Sequence, residues 1–151
     1  MTDGVSASSP VNLGRFATTA ANRIRILERY KRIAIVGLSS NPFRPSHFAA
    51  IYLLAHGYDA TPVNPREKEV LGRKSYPSLL EVPGPIEIVD IFRETAAVPE
   101  IVDQAIARGA KVIWTQLGVI HEEAAERARQ AGLEVVMDRC ILKEHRKMLA
   151  R

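Results

Sequence analysis

Cysteine is nearly absent from this 151-residue chain: Cys140 stands alone. No internal disulfide can form, which excludes a disulfide-stapled secreted scaffold. The lone thiol and four scattered histidines, His47, His56, His121 and His145, show no metal-ligand spacing, so no metal site is expected. Long apolar runs are also missing. No stretch approaches the ~18 residues of a membrane-spanning helix. Residues 1–30 have no apolar h-region of a signal peptide. A cytoplasmic protein with no membrane partner is the expectation. Charge of one sign is not in excess: 21 Lys and Arg face 17 Asp and Glu, a net of +4. That charge permits a polyanionic partner without demanding one. Two phosphate-binding signatures are absent, G-x-G-x-x-G and G-x-x-x-x-G-K-[ST].

What is present is an ordinary globular composition, 46% apolar and 25% charged. The length suits one domain. Residues 1–12 are small, polar and Gly/Ser-rich and read as a disordered tail. Residues 13–151 read as the domain, opening with a helix over about 15–30 on a stripe of Phe16, Ala20, Ile24 and Leu27.

Short β-branched runs then alternate with helical patterns. Strands are predicted near 32–37, 58–63, 86–92, 111–116 and 134–138. Gly57, Gly109 and Gly132 each close a helix just before a strand, at the position where glycine tolerates the left-handed turn. Ser46 reads as a helix N-cap, and Phe48, Ile51, Tyr52 and Ala55 as that helix's apolar stripe. Continuous apolar strands between amphipathic helices predict a parallel sheet covered on both faces. The fold class is therefore α/β, a small doubly wound, Rossmann-like sheet of five strands with an extra N-terminal helix. The weakest stretch is 64–85, where a loop and a short Leu79-Leu80 turn replace a full helix.

Ligands of open parallel sheets sit beyond the strand carboxyl ends. The residues there are 37–45, 64–66, 93–95 and 116–118. The first loop has the chemistry of a phosphate cradle. Gly37 lets a ligand approach the backbone, Ser39, Ser40 and Ser46 offer hydroxyls, Arg44 a guanidinium, and the next helix its N-terminus. The bland alternative is a tight β-to-α turn with a serine cap. The second strand ends in Asn64-Pro65, without the acid that would hold an NAD ribose. For Arg66 and Arg73, solvated charge and ligand binding stand level, because Glu67 and Glu69 lie among them.

Six stretches in order, IAIVGLSSNPFRPSHFAAIYLLAHGY, TPVNPREKEVLGRKSYPSL, VDIFR, VPEIVDQAI, VIWTQLG and AGLEVVMDRC, resemble the stand-alone coenzyme A (CoA)-binding domain family. These Rossmann-type proteins are related to the CoA-binding part of succinyl-CoA synthetase. The resemblance implies strand order 3-2-1-4-5 and CoA or acyl-CoA as ligand. It implies that Gly37, Ser39, Ser40 and Arg44 meet the CoA phosphates, and that Asn64 and Pro65 border the adenosine with Lys74 beside them. Phe92 and Arg93 would line the cleft, and Gln116 and Gly118 would face the pantetheine or diphosphate.

Other residues carry weaker signals. Cys140 reads as a buried small residue, the alternative being a thiol near the ligand. Trp114 reads as core and His121 as a helix cap. His47 reads as a cap or solvated group, with a phosphate contact as the alternative. Residues 143–147 read as a solvated basic helix face rather than a nucleic-acid site. The expected function is a binding module for CoA without catalysis of its own. In the synthetases the resemblance points to, the chemistry needs a phosphohistidine and further domains, for which 151 residues leave no room. Two readings stay open beside it: a thioester-handling or acyl-transfer enzyme using Cys140 or a partner subunit, and a binder of another nucleotide such as NAD. The sequence leaves a homodimer open. Basicity is concentrated at the ends: 1–31 carries five basic and two acidic residues, 138–151 the same, leaving 11 against 13 in the body. The total charge thus gives no support to nucleic-acid binding.

Overall fold

The computed structural model describes residues 18–151. The predicted tail and the first residues of the predicted N-terminal helix, Phe16 included, lie outside them. Five α-helices are present among the described residues: α1 (Ala20–Arg29), α2 (Pro45–Ala55), α3 (Val98–Ala107), α4 (Glu122–Gln130) and α5 (Ile141–Ala150). The main strands are β1 (Arg32–Val36), β2 (Asp59–Val63), β5 (Ile88–Ile91), β6 (Val112–Thr115) and β7 (Glu134–Val136). Between β2 and β5 lies a small antiparallel hairpin, β3 (Glu69–Val70) with β4 (Arg73–Lys74). It fills the loop predicted there.

The five long strands form one parallel sheet in the order β2-β1-β5-β6-β7. The α/β class and the five-stranded parallel sheet agree with the prediction; the strand order needs correction. Counting the long strands alone, it is 2-1-3-4-5, not 3-2-1-4-5. The strand at 88–91 pairs with β1, and among the described residues only the one-residue bridge Val63–Tyr76 lies outside β2. Burial explains this. All four residues of β5 are buried, which suits a strand with a neighbour on each side. Strand β2 contains Pro62, whose carbonyl points outward to the Tyr76 N–H. Its missing donor therefore faces the sheet edge, where proline is tolerated.

Side chains alternate between two cores, as a period of two requires. Ala34, Val36, Val89, Ile91, Ile113 and Val135 face α3 and α4. Ile33, Ile35, Ile88, Val112, Trp114 and Val136 face α1, α2 and α5. Trp114 is fully buried, as predicted. Helix α1 starts at a Thr19 cap whose hydroxyl accepts from the Asn22 N–H at 3.1 Å. It is anchored by Ile26 and Leu27, both without exposed surface. Each such side chain contributes about 1.5–3 kcal/mol on burial. Gly57, Gly109 and Gly132 follow α2, α3 and α4 with positive φ, as the junction pattern predicts.

Two expectations about α2 are corrected. Its N-cap is Arg44, with Pro45 opening the helix; Ser46 lies one residue further in and is buried. Pro fits the first helical position because that N–H has no partner anyway. The predicted stripe does not face the core: Phe48 and Ile51 are 56% and 49% exposed, while Ala49, Ala50 and Leu53 are buried. The helix contains no charged residue, so apolar spacing alone could not tell its two sides apart. Helix α5 is corrected too. Glu144 and His145, predicted on a solvated face, are buried. The Arg23 Nε–H donates to Glu144 Oε1 at 2.6 Å, tying α1 to α5. Tyr52 and His145 share a hydrogen bond at 2.8 Å, tying α2 to α5.

Candidate functional site

The carboxyl ends of β2, β1 and β5 bring three predicted loops together. Gly37 leaves β1 at φ +91 and donates its N–H to Val63 O at 2.8 Å. A Cβ at this position would lie closer than 3.0 Å to the Phe92 carbonyl oxygen and 3.2 Å from Arg93 Cδ. Glycine is needed here because the β1 and β5 loops touch, and only a missing side chain permits that contact. On the other side, Asn64 Nδ2 donates to Leu38 O at 3.0 Å, while Asn64 Oδ1 accepts from the Arg66 N–H. Asn64 thus pins the turn after β2 to the β1 loop.

The β1 loop is held by its own polar groups. The Ser39 N–H donates to Ser46 Oγ, the Asn41 N–H to Ser39 Oγ, and the Phe43 N–H to Asn41 Oδ1, at 3.0–3.1 Å. His47, predicted as a cap or solvated group, is buried, and its Nδ1 hydrogen-bonds Ser39 O at 2.8 Å. Ser40 differs. Its N–H and its hydroxyl both donate to Glu67 Oε2, at 2.9 and 2.8 Å. Arg44 is exposed at the start of α2, and no side chain caps that helix end. Among the described residues the guanidinium groups of Arg44 and Arg66 make no hydrogen bond or ion pair. Arg73 is committed to Asp59 at 2.7 Å, and Arg93 to Glu94 at 2.7 Å. Phe92 is half-buried and donates its N–H to Val36 O at 2.8 Å.

Beside Asn64 lies an open cleft of about 380 Å³ between Asn64, Pro65, Glu67, Lys68, Lys74 and Pro77. This is within the usual range for a small-molecule site, roughly 300–1,000 Å³. A second crevice, at the opposite end of the sheet near Arg32 and Pro83, holds only about 40 Å³. Lys74 sits 5.3 Å over the Tyr76 ring.

Gln116 and Gly118 form a separate group further along the sheet. Gln116 Nε2 donates to Asp90 Oδ1, and its Oε1 accepts from the Ile141 N–H at 3.2 Å. Both ends of this amide are engaged by the protein itself. The Gly118 N–H donates to Asp138 Oδ1 at 2.7 Å. Asp90 is fully buried in β5, and among the described residues its second oxygen has no hydrogen-bond partner. Burial pushes its carboxyl well above the ordinary value. An acid interrupting an apolar strand was the visible signal for this residue. Glu67 gave no comparable signal, because its partner lies 27 residues away.

Cys140 is half-buried, not buried as predicted; it is the N-cap of α5. His121 caps α4 as predicted, its Nδ1 accepting from the Ala124 N–H at 3.1 Å. Among the described residues no group of three or more His, Cys, Asp or Glu side chains is placed to hold a metal ion. No described helix is long and apolar enough to cross a membrane.

A family model described as a CoA binding domain matches residues 31–146. The chain belongs to the CoA-binding domain family. Relatives of two kinds are found. The uncharacterized protein YneT of Bacillus subtilis (strain 168) is 42% identical over 120 residues, covering 80% of this chain and 89% of that protein. The acetate–CoA ligase [ADP-forming] I subunit alpha of Pyrococcus furiosus is 27% identical over 122 residues. That match covers 70% of this chain but 26% of the ligase subunit, so the domain is one part of a larger protein there. The solved structure of a hypothetical protein from Pyrococcus horikoshii OT3 superposes with a TM-score of 0.86 at 44% identity. It covers 96% of this chain and 99% of that one. The CoA-binding domain thus occurs both in small proteins and within acetate–CoA ligases.

Proposed function

We propose that this protein is a cytoplasmic binding module that holds CoA or acyl-CoA at the strand carboxyl ends, without catalysis of its own. The observation that carries this reading is the meeting of the 37–44 loop, the Asn64 turn and Phe92–Arg93 at one end of the sheet, in a chain of the CoA-binding domain family. CoA presents a diphosphate and a ribose phosphate, the latter near −1.5 to −2 charges at pH 7. Arg44, Arg66, Lys68 and Lys74 supply cations around the loop and cleft. Gly37, Ser39, Ser40 and Arg44 border the phosphates, Asn64, Pro65 and Lys74 the adenosine, Phe92 and Arg93 the cleft wall. Ser46 acts through the loop it supports. Gln116 and Gly118 lie toward the pantetheine or the diphosphate. Calorimetric titration with CoA, acetyl-CoA, NAD and ATP tests the reading. Saturable binding of CoA or acetyl-CoA is expected, and tight NAD binding with no CoA response refutes it.

A second reading, thioester handling through Cys140, is favoured by one observation: the cysteine is partly exposed, at the N-cap of α5. Mass spectrometry after exposure to acetyl-CoA separates the two. An acetyl adduct on Cys140 supports handling, and an unmodified thiol supports the binding module.

A further inference from the structure

The β1 loop spends most of its donors on neutral acceptors. Gly37 N–H goes to a backbone carbonyl, Ser39 N–H to a serine hydroxyl, Asn41 N–H to another, Phe43 N–H to an amide oxygen and Arg44 N–H to a carbonyl. Ser40 alone sends donors to a charge. Its N–H and its Oγ–H converge on a single carboxylate oxygen, Glu67 Oε2, at 2.9 and 2.8 Å. A backbone N–H and a hydroxyl meeting on one anionic oxygen is also the arrangement that holds a phosphate oxygen. Glu67 has basic neighbours on both sides, Arg66 and Lys68, yet among the described residues it pairs with neither. It reaches across to Ser40 instead.

We propose that Glu67 is a displaceable internal ligand of this anion seat. In the free protein its carboxylate fills the position at Ser40. When a phosphate-bearing ligand binds, a phosphate oxygen takes over both Ser40 donors, and Glu67 is released into the cleft it lines with Lys68 and Lys74. The inference rests on the CoA reading for the identity of the ligand. It adds a residue that sets affinity and selects for anions strong enough to replace a carboxylate. A ligand without phosphate leaves the Ser40–Glu67 contact in place.

The test is calorimetric titration of CoA into the natural protein, Glu67→Gln and Glu67→Ala, with the Ser40 amide followed by NMR in parallel. A hydrogen bond to a charged acceptor is worth roughly 10- to 100-fold in an equilibrium. Glu67→Ala is expected to bind CoA on the order of 10-fold more tightly, with Glu67→Gln in between because its amide keeps a neutral acceptor. The Ser40 amide proton is expected to move upfield in Glu67→Ala, and to shift in the natural protein when CoA is added. Unchanged or weaker CoA binding by Glu67→Ala, beside normal binding by the natural protein, overturns the displacement and leaves the CoA reading standing. So does a Ser40 amide that moves in the variant but not on addition of CoA. Failure of all three proteins to bind CoA overturns the CoA reading, and with it the ligand assigned to the seat.

Discussion

Replacing Gly37 by alanine should damage this protein more than the same change at Gly57. The two glycines have nearly the same backbone, φ +91 and φ +88. An alanine in this region costs about 1–2 kcal/mol at either position. The gain from a stiffer unfolded chain, roughly 0.4–1 kcal/mol, is also common to both. The surroundings differ. Among the described residues nothing lies within 4 Å of a Cβ built on Gly57, whereas one on Gly37 meets the Phe92 carbonyl oxygen at under 3.0 Å and its carbon at 3.1 Å. Those are backbone atoms at the end of β5, where the Phe92 N–H is bonded to Val36 O. They cannot swing aside as a side-chain tip can. Overpacking of this kind adds about 1–3 kcal/mol. Urea unfolding of both variants should therefore show a larger loss for Gly37→Ala by roughly that amount, with unchanged m-values. Gly37→Ala should also weaken CoA binding, because it pushes the β1 and β5 loops apart; Gly57→Ala should not. Equal losses of stability in the two variants would refute the claim that loop-to-loop contact, rather than backbone conformation, requires glycine at 37.

Glu144→Ala leaves the buried Arg23 guanidinium without its carboxylate, a loss of about 3–5 kcal/mol when a buried pair is broken; a urea midpoint unchanged from the natural protein contradicts this. Acid should destabilise the fold in two stages. Burial, with His56 and Lys31 adding to it, holds His145 below its ordinary value, so its contribution is present above the unfolded value near ~6.5 and is lost as pH falls through the folded one. Burial alone would raise Glu144, but hydrogen bonds from Arg23 and Lys147 outweigh it and hold the carboxyl low, so a further loss follows below about pH 4. Unfolding free energies flat from about pH 7.5 to 4.5 contradict the first stage, and no further loss below about pH 4 contradicts the second. Asp90 has the opposite sign. Its raised value means that its stabilising contribution is present below about pH 3.9 and lost as pH rises toward the folded value. Asp90→Asn should gain on the natural protein between pH 5 and 8, and a constant difference over that range argues against a neutral buried acid.

Much of the fold was legible because it is written locally. Short β-branched runs give strands, and glycines 57, 109 and 132 mark the helix ends, since both signals depend only on near neighbours. The strand order was not legible from pairing-blind periodicity. Pro62 and the complete burial of 88–91 carried the necessary information, one marking an edge and the other a centre. The buried side of helix α2 was not legible: a helix apolar on several sides offers more than one stripe, and only tertiary packing selects Leu53 over Phe48. The same limit applies to α5, where Glu144 and His145 are buried by partners more than 90 residues away. At the site, the loops were found from strand ends alone. How their groups are spent was not. Ser46 supports Ser39, Gln116 holds Asp90, and Ser40 holds Glu67, each through a contact that sequence spacing does not encode.

The central claim is that CoA binds where the β2, β1 and β5 loops meet. Amide chemical shifts of the labelled protein, recorded during a titration with CoA, test both the binding and its place. Saturable changes at Gly37–Arg44, Asn64, Lys74 and Phe92–Arg93 are predicted, with the Arg32 and Pro83 end of the sheet unmoved. No saturable change, or changes confined to that opposite end, would contradict it.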